Sequence, residues 1–202
     1  MTDAAFWDRI APKYAKSAIS DQDAYETGLK RTQSHLKAGD TVLELGCGTG
    51  STALLMRPHV STYVASDISP GMIQIARGKV GAEGVDFRVA GVRAEDYADL
   101  SLDAVLGYNL FHLVPDLDAA LSEVHAMLPK GGRFISKTPA LGKRWYLRPL
   151  IKALQLVGKA PHVNLFTVEE LDQAITRAGF RIVETGLYPP KTPSRFVVAE
   201  KV

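Results

Sequence analysis

The sequence predicts an α/β fold around a mostly parallel sheet, and three observations carry that reading. Short apolar runs alternate with longer helical patterns from about residue 41 onward, the rhythm of successive βαβ units. The first run ends in Gly46-Cys47-Gly48-Thr49-Gly50, and open α/β sheets bind their ligands at the carboxyl ends of their strands. The last two β-type runs are joined by the short, turn-rich YPPKTP. Such a pair must be antiparallel, because a parallel return needs a crossover of about a dozen residues or more.

Taken in order, Phe6, Ile10 and Tyr14 share a helical spacing that Pro12 interrupts, and Tyr25, Leu29 and Leu36 mark a second helix. This N-terminal piece either packs on the domain or covers its site. Strands are expected at Thr41 to Leu45, Thr62 to Ser66, Val85 to Val89, Asp103 to Gly107 and Arg133 to Lys137. Between the last two, Leu117, Leu121, Val124 and Leu128 form one apolar stripe on a helix from Asp116 to Leu128, which Pro129-Lys130-Gly131-Gly132 stops. Thr167 with Glu170 reads as a capping box that opens a helix to about Ala178. Gly179 then releases the chain into FRIVETGL, and SRFVVAEKV returns beside it.

With 202 residues, 46% of them hydrophobic, the chain is long enough for one sizeable core and short for two, so one domain is expected. A net charge of +2 lacks the electrostatic footprint of a dedicated nucleic-acid binder, and no nucleic-acid partner is expected. Cys47 is the only cysteine, which excludes an internal disulfide and any multi-cysteine zinc site and suits a reducing compartment. MTDAAFWDRI has no signal-peptide pattern and no apolar run approaches the ~20 residues of a spanning helix, so the cytoplasm is the expected location.

The glycine loop constrains the ligand. It fits G-x-G-x-G, whereas the dinucleotide fingerprint needs glycine or alanine where Ser51 stands. Glu44, at the strand end before the loop, opposes a pyrophosphate and suits a cation. Asp67 ends the second strand, near the ~20-residue offset at which an acid meets a ribose. It either accepts from ribose hydroxyls or caps the helix that begins near Ser69. A cationic, nucleoside-containing ligand fits best.

VLELGCGTG, YVASDIS, DAVLGYNLFHLV and LPKGG, in this order and spacing, resemble the class I S-adenosylmethionine-dependent methyltransferases from about Val42 to the C-terminus. The N-terminal FWDRIAPKYAK further resembles their small-molecule branch, which includes ubiquinone and menaquinone biosynthesis methyltransferases. The resemblance implies a Rossmann-like three-layer αβα sandwich whose seven-stranded sheet has the order 3-2-1-4-5-7-6 with strand 7 antiparallel. It implies S-adenosyl-L-methionine as cofactor and S-adenosyl-L-homocysteine as product. Gly46, Cys47 and Gly48 would line the methionine part, with Glu44 nearby; Asp67 would hold the ribose, and Ile68 would lie against the adenine, with Met72 in the same set. Arg93 stands where the family usually has an acid for the adenine amino group, so that role passes either to Glu95 or to the backbone of Ala94. Asn109 would meet the methionine end beside Leu110, and Tyr14 either closes over the cofactor or is a core aromatic. On this reading the domain comprises a helical cap (1–38), a cofactor-binding core (39–138), an acceptor-side insertion (139–166) and a last helix with its hairpin (167–202).

A sulfonium methyl arrives activated, so a protein need only align a nucleophile and exclude water, and orientation can supply roughly 7–11 kcal/mol. His112, three residues past Asn109, is either a general base or a structural histidine. His35, His59 and His125 have no acid or cysteine at ligand spacing, and no metal is assigned. The acceptor is expected at the insertion: GKRWYLRPLIKALQLVGK, residues 142–159, has no acid and carries Lys143, Arg144, Arg148, Lys152 and Lys159 among apolar residues. It is a peripheral contact for an anionic membrane, a lid over the acceptor, or a helix packed on the sheet. As a lid it would turn Trp145 and Tyr146 to the acceptor, with His162 in reach. The expected function is methyl transfer to a small hydrophobic or aromatic metabolite. Its alternatives are an RNA or protein methyltransferase, a cofactor-binding protein without transfer, and an NAD-linked dehydrogenase that Ser51 and Glu44 disfavour.

Overall fold

The structure, a computed structural model, describes residues 3–190 and 192–202. Met1, Thr2 and Lys191, the last within the YPPKTP connection, lie outside the described residues. Seven strands, β1 Thr41–Leu45, β2 Thr62–Asp67, β3 Asp86–Val89, β4 Ala104–Tyr108, β5 Arg133–Pro139, β6 Phe180–Leu187 and β7 Ser194–Lys201, form one sheet. Its order is β3-β2-β1-β4-β5-β7-β6, with β1 to β5 parallel and β7 antiparallel to both neighbours. The first five strands match expectation to within two residues at either end, and the hairpin closes as its short link requires.

Alternation along the strands divides the core in two. Leu43, Val105, Phe134 and Val197 face one side, under α5 (Leu117–Met127) and α7 (Val168–Arg177). Val42, Leu106, Ile135 and Val198 face the other, under α3 (Ser51–Met56) and α4 (Pro70–Arg77), with Leu29 of α2 (Gln22–Gln33) packed alongside. Three layers follow, because a sheet that is apolar on both faces must be covered on both. The helix ends are fixed as the sequence predicts: Asp116 accepts from Ala119 N, and Thr167 and Glu170 form a reciprocal capping box.

The N-terminal helix departs from expectation. Pro12 does not interrupt α1 (Asp3–Tyr14). The proline sits in the last turn, so the backbone bond it lacks is one of the final few, and Ala15 N still donates to Ala11 O at 2.9 Å. Asp8 holds α1 to the sheet layer, its Oδ1 accepting from Ser69 Oγ (2.6 Å) and Gly71 N (2.8 Å). α2 is tied down at the opposite edge, where Arg31 and His35 both pair with Glu184 of β6. The insertion after β5 forms a short turn over Gly142–Leu147 and then α6 (Arg148–Leu156), no residue of which is buried. Among the described residues no helix is long and apolar enough to cross a membrane.

Phe134 is fully buried, edge-on to Phe111 (centroids 5.2 Å apart) and 5.4 Å from Phe180. Phe134→Ala should lower the unfolding free energy by about 3–5 kcal/mol, read as a shifted denaturant midpoint. A loss under about 1 kcal/mol would contradict this packing.

Candidate functional site

At the carboxyl end of β1 the chain turns through Gly46 (φ +67°) and Gly48 (φ +54°), a left-handed conformation that glycine adopts without strain. A Cβ on Gly46 would lie 2.8 Å from Leu110 Cδ1. The turn is pinned from β2. Asp67 Oδ2 accepts from Gly48 N and its Oδ1 from Ser69 N, both at 2.9 Å. Ser69, not Asp67, is the N-cap of α4, its hydroxyl accepting from Met72 N at 3.1 Å. Each Asp67 oxygen therefore keeps a lone pair beyond its backbone bond. Desolvation raises this carboxyl from its ordinary value, against the two backbone donors that lower it.

Two cavities open on the turn. The first, about 450 Å³, is bounded by Asp67 and by an apolar slot of Ile68, Met72, Val92 and Leu113. Ile68 is 40% exposed there, although it is a large aliphatic residue. The second, about 500 Å³, lies under the α1–α2 connection and is bounded by Tyr25, Glu44, Cys47, Lys137 and Tyr188. Tyr14, Gly46, Gly48, Tyr108 and Asn109 line both, so the cavities adjoin at the glycine turn. Asn109 follows β4 in a left-handed conformation (φ +54°), which asparagine tolerates better than most residues, and donates its backbone N–H to Lys137 O at 2.7 Å. Tyr14, 47% exposed, stands at the junction with its ring edge-on to Trp7. Met72 is buried in the wall of the first cavity and Leu110 lines it.

Glu44 is 2% exposed and accepts from Tyr63 Oη at 2.9 Å. Burial pushes its carboxyl up to about 8, and the Asp67 charge adds to the rise. A cation beside it would favour the ionised form. Cys47 is buried, and burial pushes its thiol well above the ordinary range, which makes it packing rather than a nucleophile.

Several sequence-selected residues stand elsewhere. Ala94 and Glu95 do not line the first cavity: Ala94 N donates to Glu123 Oε2 at 2.6 Å, and Glu95 pairs with Arg93 at the surface. The acid at that end of the cavity is Glu123 of α5, remote in sequence from the motif that prompted the search. His112 lines neither cavity; its Nδ1 is buried without a partner, and desolvation lowers the imidazole to about 4. In this arrangement it touches neither cavity, whereas a base must reach the proton it takes. Trp145 and Tyr146, 69% and 59% exposed, also line neither cavity, because the turn that bears them projects from the fold. His162 borders a third, open cavity between α6 and the start of α5, where its Nε2 pairs with Asn164 Oδ1 at 2.9 Å. Lys137, Tyr25 and Tyr188 were missed, since each reads in sequence as an ordinary strand, helix or turn residue.

A family model described as a methyltransferase domain matches residues 18–185. Over 163 residues the chain is 29% identical to malonyl-[acyl-carrier protein] O-methyltransferase of Serratia marcescens, covering 81% of this chain and 61% of the relative. Over 139 residues it is 28% identical to demethylmenaquinone methyltransferase of Symbiobacterium thermophilum, covering 64% and 55%. The chain thus spans 61% and 55% of the length of these two curated relatives. Among solved structures, an S-adenosylmethionine-dependent methyltransferase of Thermotoga maritima shares the fold at a TM-score of 0.70 and 20% identity, covering 99% of this chain and 100% of that one.

Because the Glu44 pKa rises on folding from 4.5 to about 8, the folded chain holds this proton more tightly than the unfolded one. The associated stability is complete below the unfolded pKa and is lost as pH rises through about 8. Glu44→Gln keeps an acceptor for Tyr63 without the charge. The variant should be more stable than the parent at about pH 9, with the margin shrinking toward about pH 5, as read by denaturant titration. A margin independent of pH would refute the buried carboxyl.

Proposed function

The chain belongs to the methyltransferase domain family, and from that premise we propose that it transfers a methyl group from S-adenosylmethionine to a small acceptor in the second cavity. The observation that carries the reading is the meeting of two cavities at one glycine turn flanked by Asp67 and Glu44. When bound, the cofactor supplies a methyl group activated by a positively charged sulfur.

The residues present fit that ligand. Asp67 keeps lone pairs for ribose hydroxyls, and the slot of Ile68, Met72, Val92 and Leu113 is apolar and open enough for a purine. Glu123 lines the same cavity, accepts from Ala94 N and takes the role that was expected of either Glu95 or the Ala94 backbone. Gly46, Gly48 and Asn109 bring bare or short-chained backbone to the junction, and Glu44 favours a cationic amine. Tyr14, lining both cavities, excludes water from the place where methyl and acceptor meet. His112 is not used as a base, and alignment carries the rate.

The second cavity supports a small acceptor with an aromatic part: Tyr25, Tyr108 and Tyr188 stand on its wall. The relatives named above are named for malonyl-[acyl-carrier protein] and for demethylmenaquinone.

Incubation with cofactor labelled in its methyl group and a small-metabolite extract should yield a labelled product one CH₂ heavier than its precursor. Saturable cofactor binding with no transfer to metabolite, RNA or protein would overturn the proposal. Asp67→Ala should weaken cofactor binding by roughly 1.5–3 kcal/mol in calorimetry, the worth of a hydrogen bond to a charged group. Unchanged affinity in a folded variant would remove Asp67 from the site.

A further inference from the structure

Lys137 is the unexplained charge of the second cavity. It lies two residues past Ile135 on β5, so it projects from the α2 side of the sheet beside Tyr108, its register partner on β4. Its stem passes Gly28 of α2, where an added Cβ would stand 4.0 Å from Lys137 Cδ. The residue is half-buried and lines the cavity. Among the described residues no carboxylate forms an ion pair with it and no hydrogen bond holds its ammonium. Desolvation lowers its pKa from the ordinary lysine value, opposed by the charge of Asp21. Asp21 is itself engaged as the N-cap of α2, accepting from Ala24 N at 2.9 Å. Three more titratable groups on this wall are also committed. Glu44 accepts from Tyr63, the Tyr25 hydroxyl pairs with Thr52, and the Tyr108 hydroxyl pairs with Thr32.

An ammonium taken partly out of water without a partner costs free energy that an arriving anion recovers. The rest of the wall fits the same ligand: Ser20 and Ser194 carry hydroxyls able to donate to an oxyanion, while those of Ser17 and Thr192 donate to Lys13 O and Pro189 O. Building on the methyltransferase reading, we propose that the second cavity selects an acceptor bearing an anionic oxygen, a carboxylate or an ionised phenol, and that the Lys137 ammonium is its counter-charge. Such an acceptor arrives already deprotonated. It needs no general base, in keeping with a His112 that lines neither cavity.

The test is calorimetric titration of the protein loaded with S-adenosylhomocysteine, using benzoate, benzamide and 4-nitrophenol as probes. Benzoate should bind roughly tenfold or more tightly than its neutral twin benzamide, the worth of one charge-assisted contact. Lys137→Met and Lys137→Gln should lose that preference while keeping S-adenosylhomocysteine affinity, and Lys137→Arg should retain it. Saturation by benzoate alone identifies a carboxylate site. Saturation by 4-nitrophenol, with the visible phenolate band intensified on binding to the parent but not to Lys137→Met, identifies an ionised phenol. Equal binding of benzoate and benzamide with no phenolate signal, a preference that survives both neutral variants, or no binding of any probe overturns the inference. If S-adenosylhomocysteine itself fails to bind the parent, the methyltransferase reading falls, and the same titrations without it decide the anion site separately.

Discussion

The site depends on one carboxylate shared between two backbone donors. Asp67 receives Gly48 N–H from the turn after β1 and Ser69 N–H from the turn into α4, so one side chain fixes both. Neither turn has a regular ladder to hold it, and backbone N–H groups bonded to a charged acceptor are held more firmly than those bonded to a neutral one. The same constraint extends outward, because Ser69 is in turn gripped by Asp8 of α1. A chain of hydrogen bonds thus runs from the first helix to the glycine turn.

Electrostatically the site is divided. Glu44 and Asp67 flank the turn, and burial raises the pKa of both. Lys137 lies on the far wall of the second cavity, where burial acts on it in the opposite sense. Asp67 lines the first cavity, whereas Glu44 and Lys137 both line the second, which so carries an acid and an ammonium together.

The sequence made the scaffold legible because the scaffold rests on local patterns. Alternation marked the strands, Asp116 and Thr167 marked helix starts, and the short link before Ser194 forced the hairpin. Gly46, Gly48 and Asp67 were legible as well, since a turn that needs positive φ and an acid at the next strand end leave a residue-level trace. Lys137 was not, because its meaning comes from the register that sets it beside Tyr108 and beneath Gly28, a long-range fact with no local sign. The insertion misled for a related reason: its aromatic and basic residues resemble a cover, but no contact folds Trp145 or Tyr146 back over either cavity. Glu95 failed because a partner next but one in sequence, Arg93, was free to take it.

Tyr14, Gly46, Gly48, Tyr108 and Asn109 form a party wall between the two cavities. A substitution in that wall therefore changes the boundary of both cavities at once, and neither space can be reshaped there alone.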